Sequence, residues 1–488
     1  QEFLAGRHLL NEYKVEELRQ FVQKIALSTD KEIWEESLRL GLADLARTKE
    51  RDIDERLEML LQLDTQLDDG GWCAAMAALA LIDLPEDRWK SPNATRKRVM
   101  EAGRASFERG ALREALLLDL GLALAKTKNK TFAEPLCQKL VANPPLFAPA
   151  ERRRLGLALA ELGDPRFDSP LPLGEGLGVR AKSHFIVIPA GTFQMGTSEE
   201  EAELLDKQQA GSWADEKPQH IVYVSDFAIA KYPVTNAEYR LFINDKGYER
   251  LDCWSEDGKR WLESKMIRAD LSYITDRSVR RRVADWIAGR PKEKKRQPFF
   301  WDDSKWNVDT LPVVGVSWFE SEAYCNWLTF KLREAKAITS EQKIHLPTEA
   351  QWEKAARAQP SNIELPTSRL WSWGDEWDKN KCNALNQFGA TTPVGMYPDG
   401  ASGYGVQDMM GNVWEWCADW YDEKLYERRK DQEVSDPLGP VKGSARIVRG
   451  GSWIDNQWNC RAACRLGLTP LGFDIGGGFR AALSPVWG

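Results

Sequence analysis

Histidine is scarce in this chain of 488 residues: there are four, His8, His184, His220 and His345, and no two stand four residues apart. A zinc or iron site built on histidine is therefore not expected. The eight cysteines, Cys73, Cys137, Cys253, Cys325, Cys382, Cys417, Cys460 and Cys464, contain no CxxC pair, which fits reduced thiols in a cytoplasmic protein better than a disulfide framework. Nowhere do about 18 apolar residues run together, so no spanning helix is expected. A GxxxxGK[ST] phosphate loop is also missing. With a formal net charge of -7 the chain has too mild a balance to make nucleic acid its main partner.

What is present divides the chain. Hydrophobic residues make up 42% and charged residues 29%, values that supply a sizeable core. Most of the 21 tryptophans lie after residue 210, so the two ends differ in kind. Residues 1–165 read as helices throughout: 14–26 and 32–46 carry apolar residues at three-and-four spacing, and later helices show nearly solid apolar runs. Similar apolar stretches (LGLA, LALI, LGLALA, LGLALA) start at residues 40, 79, 120 and 155, a helix-pair spacing. An all-α helical repeat domain of the HEAT-like kind and a plain helical bundle both fit this pattern.

Residues 166–183, rich in proline and glycine, form a linker. From residue 184 the style changes, and a second domain runs to 488. Phe185 to Gly196 predicts two short strands joined by a Pro/Gly turn. Three helix starts carry the same capping box, Thr235 with Glu238, Ser317 with Glu320 and Thr348 with Gln351. Between the first two lies a charged insertion, 247–309, whose basic clusters at 280–282 and 292–296 read as a solvated face.

The run from Arg449 to Arg480 stands apart. It opens on Arg449-Gly450-Gly451-Ser452-Trp453 and closes on Gly478-Phe479-Arg480, two frames around a middle without hydrophobic period. That middle is too apolar for an ordinary solvent loop and too irregular for a strand. It reads either as a binding surface or as a loop tucked into the core.

Six spaced motifs then carry a resemblance: IPAGTFQMG at 188–196, PVTN at 233–236, PVVGVSW at 312–318, LPTEAQWE at 346–353, GNVWEW at 411–416, and the 449–480 frames. Over 184–484 the chain resembles the formylglycine-generating enzyme, or sulfatase-modifying factor, family. The resemblance implies a C-type-lectin-like fold, a compact α+β body with little regular structure, and bound calcium. Asn412, Glu415 and the Val413 carbonyl match the family's calcium loop, and Asn383 resembles the start of a second site; oxygen-only ligation suits calcium. Catalytic members hold two cysteines five residues apart that bind copper. Here the first position falls on Asp455 and the second on Cys460, a poor soft-metal pair, so copper and oxidase activity are not expected, with Cys460 the residual catalytic candidate.

Non-catalytic relatives often fill the framed run with asparagines. Here Ile454, Asp455, Cys464, Leu466, Gly467, Leu468, Leu471, Gly472, Phe473, Asp474, Ile475 and Gly476 stand at those positions. Each can be reached from an asparagine codon by changing only its adenines, whereas Lys, Glu, Gln, Met and Trp cannot. This resembles the variable proteins of diversity-generating retroelements and implies a protein or other macromolecular ligand. The expected ligand-binding set is these residues, Gly476 apart, together with Asn456 and Trp458. Finally, Gln1 to Leu10 (QEFLAGRHLL) resembles the segment that ends the NTPase module of bacterial NACHT-type signalling ATPases, which implies an upstream NTPase domain of the same polypeptide. Two other functions are consistent with the sequence: a copper-dependent oxidase working through Cys460, and a helical-repeat adaptor.

Overall fold

A computed structural model describes residues 13–48, 50–84, 94–167, 184–208, 214–264, 277–278, 281, 284, 296–358, 369–430, 432–470 and 474–485. It divides into two units, residues 1–140 with 146–165, and residues 141–145 with 166–488. The basic clusters of the insertion fall almost wholly outside the described residues, as does nearly all of the linker.

The first unit is helical: α1 Val15–Ala26, α2 Glu32–Thr48, α3 Glu50–Gln66, α4 Trp72–Ile82, α5 Ala94–Arg109, α6 Glu114–Lys126, α7 Ala133–Leu140 and α8 Pro149–Leu162. From α2 to α6 each helix packs on the next, α7 packs on α8, and several helices two apart also meet. Contacts of α2 with α4, α4 with α6 and α6 with α8 make one layer, while α1 with α3 and α3 with α5 make another. All four apolar stretches lie on the layer of α2, α4, α6 and α8, where Leu42, Leu79, Leu120 and Leu155 are buried. Helix α4 is buried along its whole length. Its small side chains let α5 approach closely: a Cβ added at Gly103 would stand 2.4 Å from the Ala78 Cβ. The buried Glu35 of α2 accepts from the Trp72 indole of α4 at 3.0 Å and pairs with Arg113, tying three segments of the chain together.

Among the described residues the second unit holds three small sheets, in order β1-β4-β11-β5, β10-β6-β8-β9 and β2-β3-β7. Their strands are β1 Phe185–Ile188, β2 Gly191–Met195, β3 His220–Val224, β4 Phe227–Ala230, β5 Gln342–His345, β6 Trp414–Trp420, β7 Val434–Ser435, β8 Arg446–Arg449, β9 Arg465–Leu468, β10 Gly477–Gly478 and β11 Ala482–Pro485. Its helices include α9 Glu199–Lys207, α10 Asn236–Asn244, α11 Glu256–Ser264, α12 Trp318–Glu334 and α13 Glu349–Arg357. All three capping boxes are present, each hydroxyl accepting the N–H three residues on, at the starts of α10, α12 and α13. The two strands expected at 185–196 form with a short turn between them, and they do not pair with each other: β1 pairs with β4 and β2 with β3, in different sheets. The corner between them is held by the buried Lys354 of α13, whose Nζ donates to the carbonyls of Pro189, Gly191 and Val224. Burial without a carboxylate partner brings that ammonium down to about 8.

Candidate ligand-binding surface

The C-terminal run leaves β8, loops through 450–464, returns as β9 and reaches β10, with β9 the outer strand of its sheet. Four arginines pin it. Arg449 pairs with Glu353 of α13. Arg461 clamps Glu216 through both nitrogens, at 2.7 and 2.8 Å. Arg465 grips Glu349 of α13 at 2.7 and 3.0 Å, and Arg480 grips Glu415 of β6 at 2.6 and 2.7 Å. All four guanidinium groups and their partners are buried. Burial pushes the Glu349 carboxyl up, yet Arg465 and Arg449 beside it bring it below the ordinary carboxylate value. Three of the pairs are bidentate, which fixes orientation as well as distance. Breaking such a pair strands a charge in the core, so the run is locked at fixed points. Sequence reasoning missed Arg461 and Arg465; their signal was two charges four apart inside an otherwise small and apolar stretch.

Between these points the expected ligand contacts divide. Ile454 and Asn456 are exposed, and Leu466, Leu468 and Ile475 are half-buried. Trp458 is half-buried and packs 6.3 Å from Trp371, which also meets Trp373 and Trp377, so it belongs to an indole cluster rather than standing free. The Asp455 carboxylate is engaged internally. It accepts from the Trp414 indole at 2.9 Å, from the Ser452 amide and hydroxyl at 3.0 and 2.5 Å, and from Asn459 at 3.0 Å. Asp474 caps the Gly476 amide at 2.7 Å, with its carboxyl raised by burial.

Two expected contacts lie against the protein itself. Cys464 is fully buried, its thiol pushed up by burial. Gly467 faces Tyr421, whose ring would lie 2.6 Å from an added Cβ. Leu471, Gly472 and Phe473 lie outside the described residues.

The expected metal sites do not fit their metals. Glu415 gives both oxygens to Arg480 and accepts the Trp352 indole at 2.7 Å, leaving no free charge for a cation. Asn412, at φ 61°, accepts from Asn383 and the Thr392 amide and donates to the Thr392 carbonyl. Its neighbour Val413 is buried, and Asn383 keeps one buried oxygen without a hydrogen-bond partner. One spare amide oxygen beside an arginine-neutralised carboxylate is not a calcium cage. For copper, Cys460 is sealed in the core with its thiol pushed well above its ordinary value by burial, while Asp455 is occupied as above. Among the described residues, no three His, Cys, Asp or Glu side chains converge as a metal cluster.

Residues 177–485 match the sulfatase-modifying factor enzyme 1-like domain. A formylglycine-generating enzyme of Thermomonospora curvata is 30% identical over 340 residues, 66% of this chain and the whole of that enzyme. The hercynine oxygenase of Mycolicibacterium smegmatis is 31% identical over 333 residues, 66% of this chain but 65% of that protein. Among solved structures, Treponema denticola variable protein 1 is similar at 20% identity with a TM-score of 0.39, covering 62% of this chain and 95% of that one.

Proposed function

The chain belongs to the sulfatase-modifying factor enzyme 1-like domain family, and on that premise we propose that its C-terminal unit binds a macromolecular ligand and has lost the family's oxidase chemistry. The carrying observation is the arrangement of the 449–480 run: four buried arginine clamps hold the chain while Ile454 and Asn456 project between them. A scaffold that varies its side chains needs its backbone held by residues that do not vary. Because those clamps reach partners outside the run, the loop geometry does not depend on the side chain at 454. The adenine-reachable codon set favours diversification by a retroelement. Against the oxidase reading stand the sealed Cys460 thiol and the internally bonded Asp455.

The two-layer stacking of the helical unit supports a HEAT-like array serving as a scaffold. The likeness of Gln1 to Leu10 to the end of a NACHT-type module favours an NTPase domain upstream in the same polypeptide; those ten residues lie outside the described ones. Eight free, buried cysteines favour a cytoplasmic setting, and among the described residues no helix is long and apolar enough to cross a membrane.

Two measurements test the proposal together. Purified protein incubated with copper and a cysteine-containing peptide should leave the peptide thiol unchanged, and Cys460→Ser should behave identically. Copper-dependent conversion by the wild type, lost in that variant, restores the oxidase reading. In the flanking DNA, a near-copy of the 449–480 segment with adenines at the variable codons should accompany a reverse-transcriptase gene; finding neither removes diversification and leaves a fixed binding module.

A further inference from the structure

Leu385 holds a left-handed backbone, φ 58°, with its side chain 49% exposed, and Asn386 follows at φ 55°. Asparagine tolerates that region. Leucine is disfavoured there, because its Cβ crowds the following carbonyl oxygen. A leucine left half exposed that cannot relax its backbone serves the fold less well than glycine or asparagine would. Strained positions that persist tend to gather where a ligand is met.

What fixes the strained pair is the adjoining C-terminal run. The Leu385 amide donates to the Asp455 carbonyl at 2.8 Å, and the Asn386 amide donates to the Trp453 carbonyl at 2.8 Å. These two bonds bracket Ile454, whose side chain is 55% exposed. Both end on main-chain oxygens, so they persist whatever side chains occupy 454 and 455. Around the two apolar groups stand Asn386, Gln387 and Asn456, all exposed and uncharged. The one acid in the adjoining stretch, Asp455, spends its carboxylate on Trp414, Ser452 and Asn459.

We infer that Leu385 is a fixed specificity-determining contact of the variable surface, and that the surface takes a peptide segment of a protein partner. The partner seats an apolar side chain against Leu385 and Ile454 and pairs its main chain with the side-chain amides of Asn386 and Gln387 and with the Asn456 side-chain NH2, the Asn456 oxygen being taken by the Trp458 and Asn459 amides. An uncharged amide rim suits peptide N–H and C=O groups and offers no cation to a phosphate. The inference rests on the binding reading above and adds to it a contact from outside the 449–480 run.

The test uses the full chain and a displayed library of random peptides selected on the wild type. Selected peptides should lose about tenfold or more in affinity on Leu385→Gly, the loss expected of an anchor contact, and a similar amount on Ile454→Asp. Leu385→Met should retain binding. Leu385→Gly should also melt no lower than the wild type, because it relieves the left-handed strain. Peptides that respond to Ile454→Asp but bind Leu385→Gly unchanged overturn this inference alone. A lowered melting temperature in Leu385→Gly makes the residue packing and overturns it too. A library yielding no peptide sensitive to Ile454→Asp overturns the peptide partner, and with it this inference, while the binding reading stands or falls by its own tests.

Discussion

Arg461 and Glu216, 245 residues apart in sequence, form a two-point ion pair sealed from solvent, with nitrogen-oxygen distances of 2.7 and 2.8 Å. Removing one partner leaves the other charged in the core. Arg461→Ala should therefore cost about 3–5 kcal/mol, read by urea unfolding of the full chain. Arg461→Lys should recover only part of that, since a point charge cannot reproduce a planar fork. A cost below about 1 kcal/mol for the alanine variant would mean the pair does not anchor the run.

Ile454 and Trp458 stand four residues apart in the same loop yet should behave oppositely. Ile454→Asp changes an exposed side chain and should leave the melting temperature within about one degree, as surface substitutions do. Trp458→Ala removes an indole packed against Trp371 and should cost about 2 kcal/mol, less than a fully buried tryptophan, seen as a drop of several degrees. Equal, negligible shifts for both would make Trp458 a free contact after all.

Glu415 is the counter-charge of Arg480 in this fold, and its loss should be felt with or without calcium. Glu415→Ala strands the buried guanidinium and should lower the melting temperature by the same amount in calcium and in excess chelator. A midpoint that rises with calcium in the wild type and fails to do so in the variant would instead make the carboxylate a ligand.

Asp419 gives the fold a dependence on pH. Its buried carboxyl accepts the Glu349 amide at 2.7 Å and is pushed up to about 6, first by burial and then by the Glu349 charge. A carboxyl raised in the folded state stabilises fully below its unfolded value and loses that contribution as pH rises through its folded one, so the window runs from about 4 to 6. Asp419→Asn keeps an acceptor for the Glu349 amide without the charge. Relative to wild type it should gain up to about 3 kcal/mol between pH 4 and 7, at about 1.4 kcal/mol for each pH unit that separates the folded carboxyl from the unfolded one. A difference between the two proteins that stays flat across that range would mean that Asp419 does not set the pH dependence.

The legible parts of this protein are those whose physics is local. Thr235 with Glu238, Ser317 with Glu320 and Thr348 with Gln351 each satisfy an orphan amide three residues away, so neighbours in sequence suffice to place three helix starts. The apolar stretches beginning at residues 40, 79, 120 and 155 repeat because α2, α4, α6 and α8 occupy one layer. The motifs along 184–484 carry the family in residue order alone, without any need of the fold.

Tertiary structure alone decided the rest, because it turns on partners far away in the chain. Nothing near Phe185 or Gly191 says that β1 and β2 will part into different sheets; β4, β3 and the Lys354 ammonium settle that. Glu415 reads as a calcium ligand until Arg480 arrives 65 residues later and takes both its oxygens. Cys464, Gly467 and Ile454 all read as variable positions, yet one is buried, one abuts Tyr421 and one faces solvent. A pattern of residue types marks candidate variable positions, but exposure depends on what else folds against them, and that is set by long-range packing.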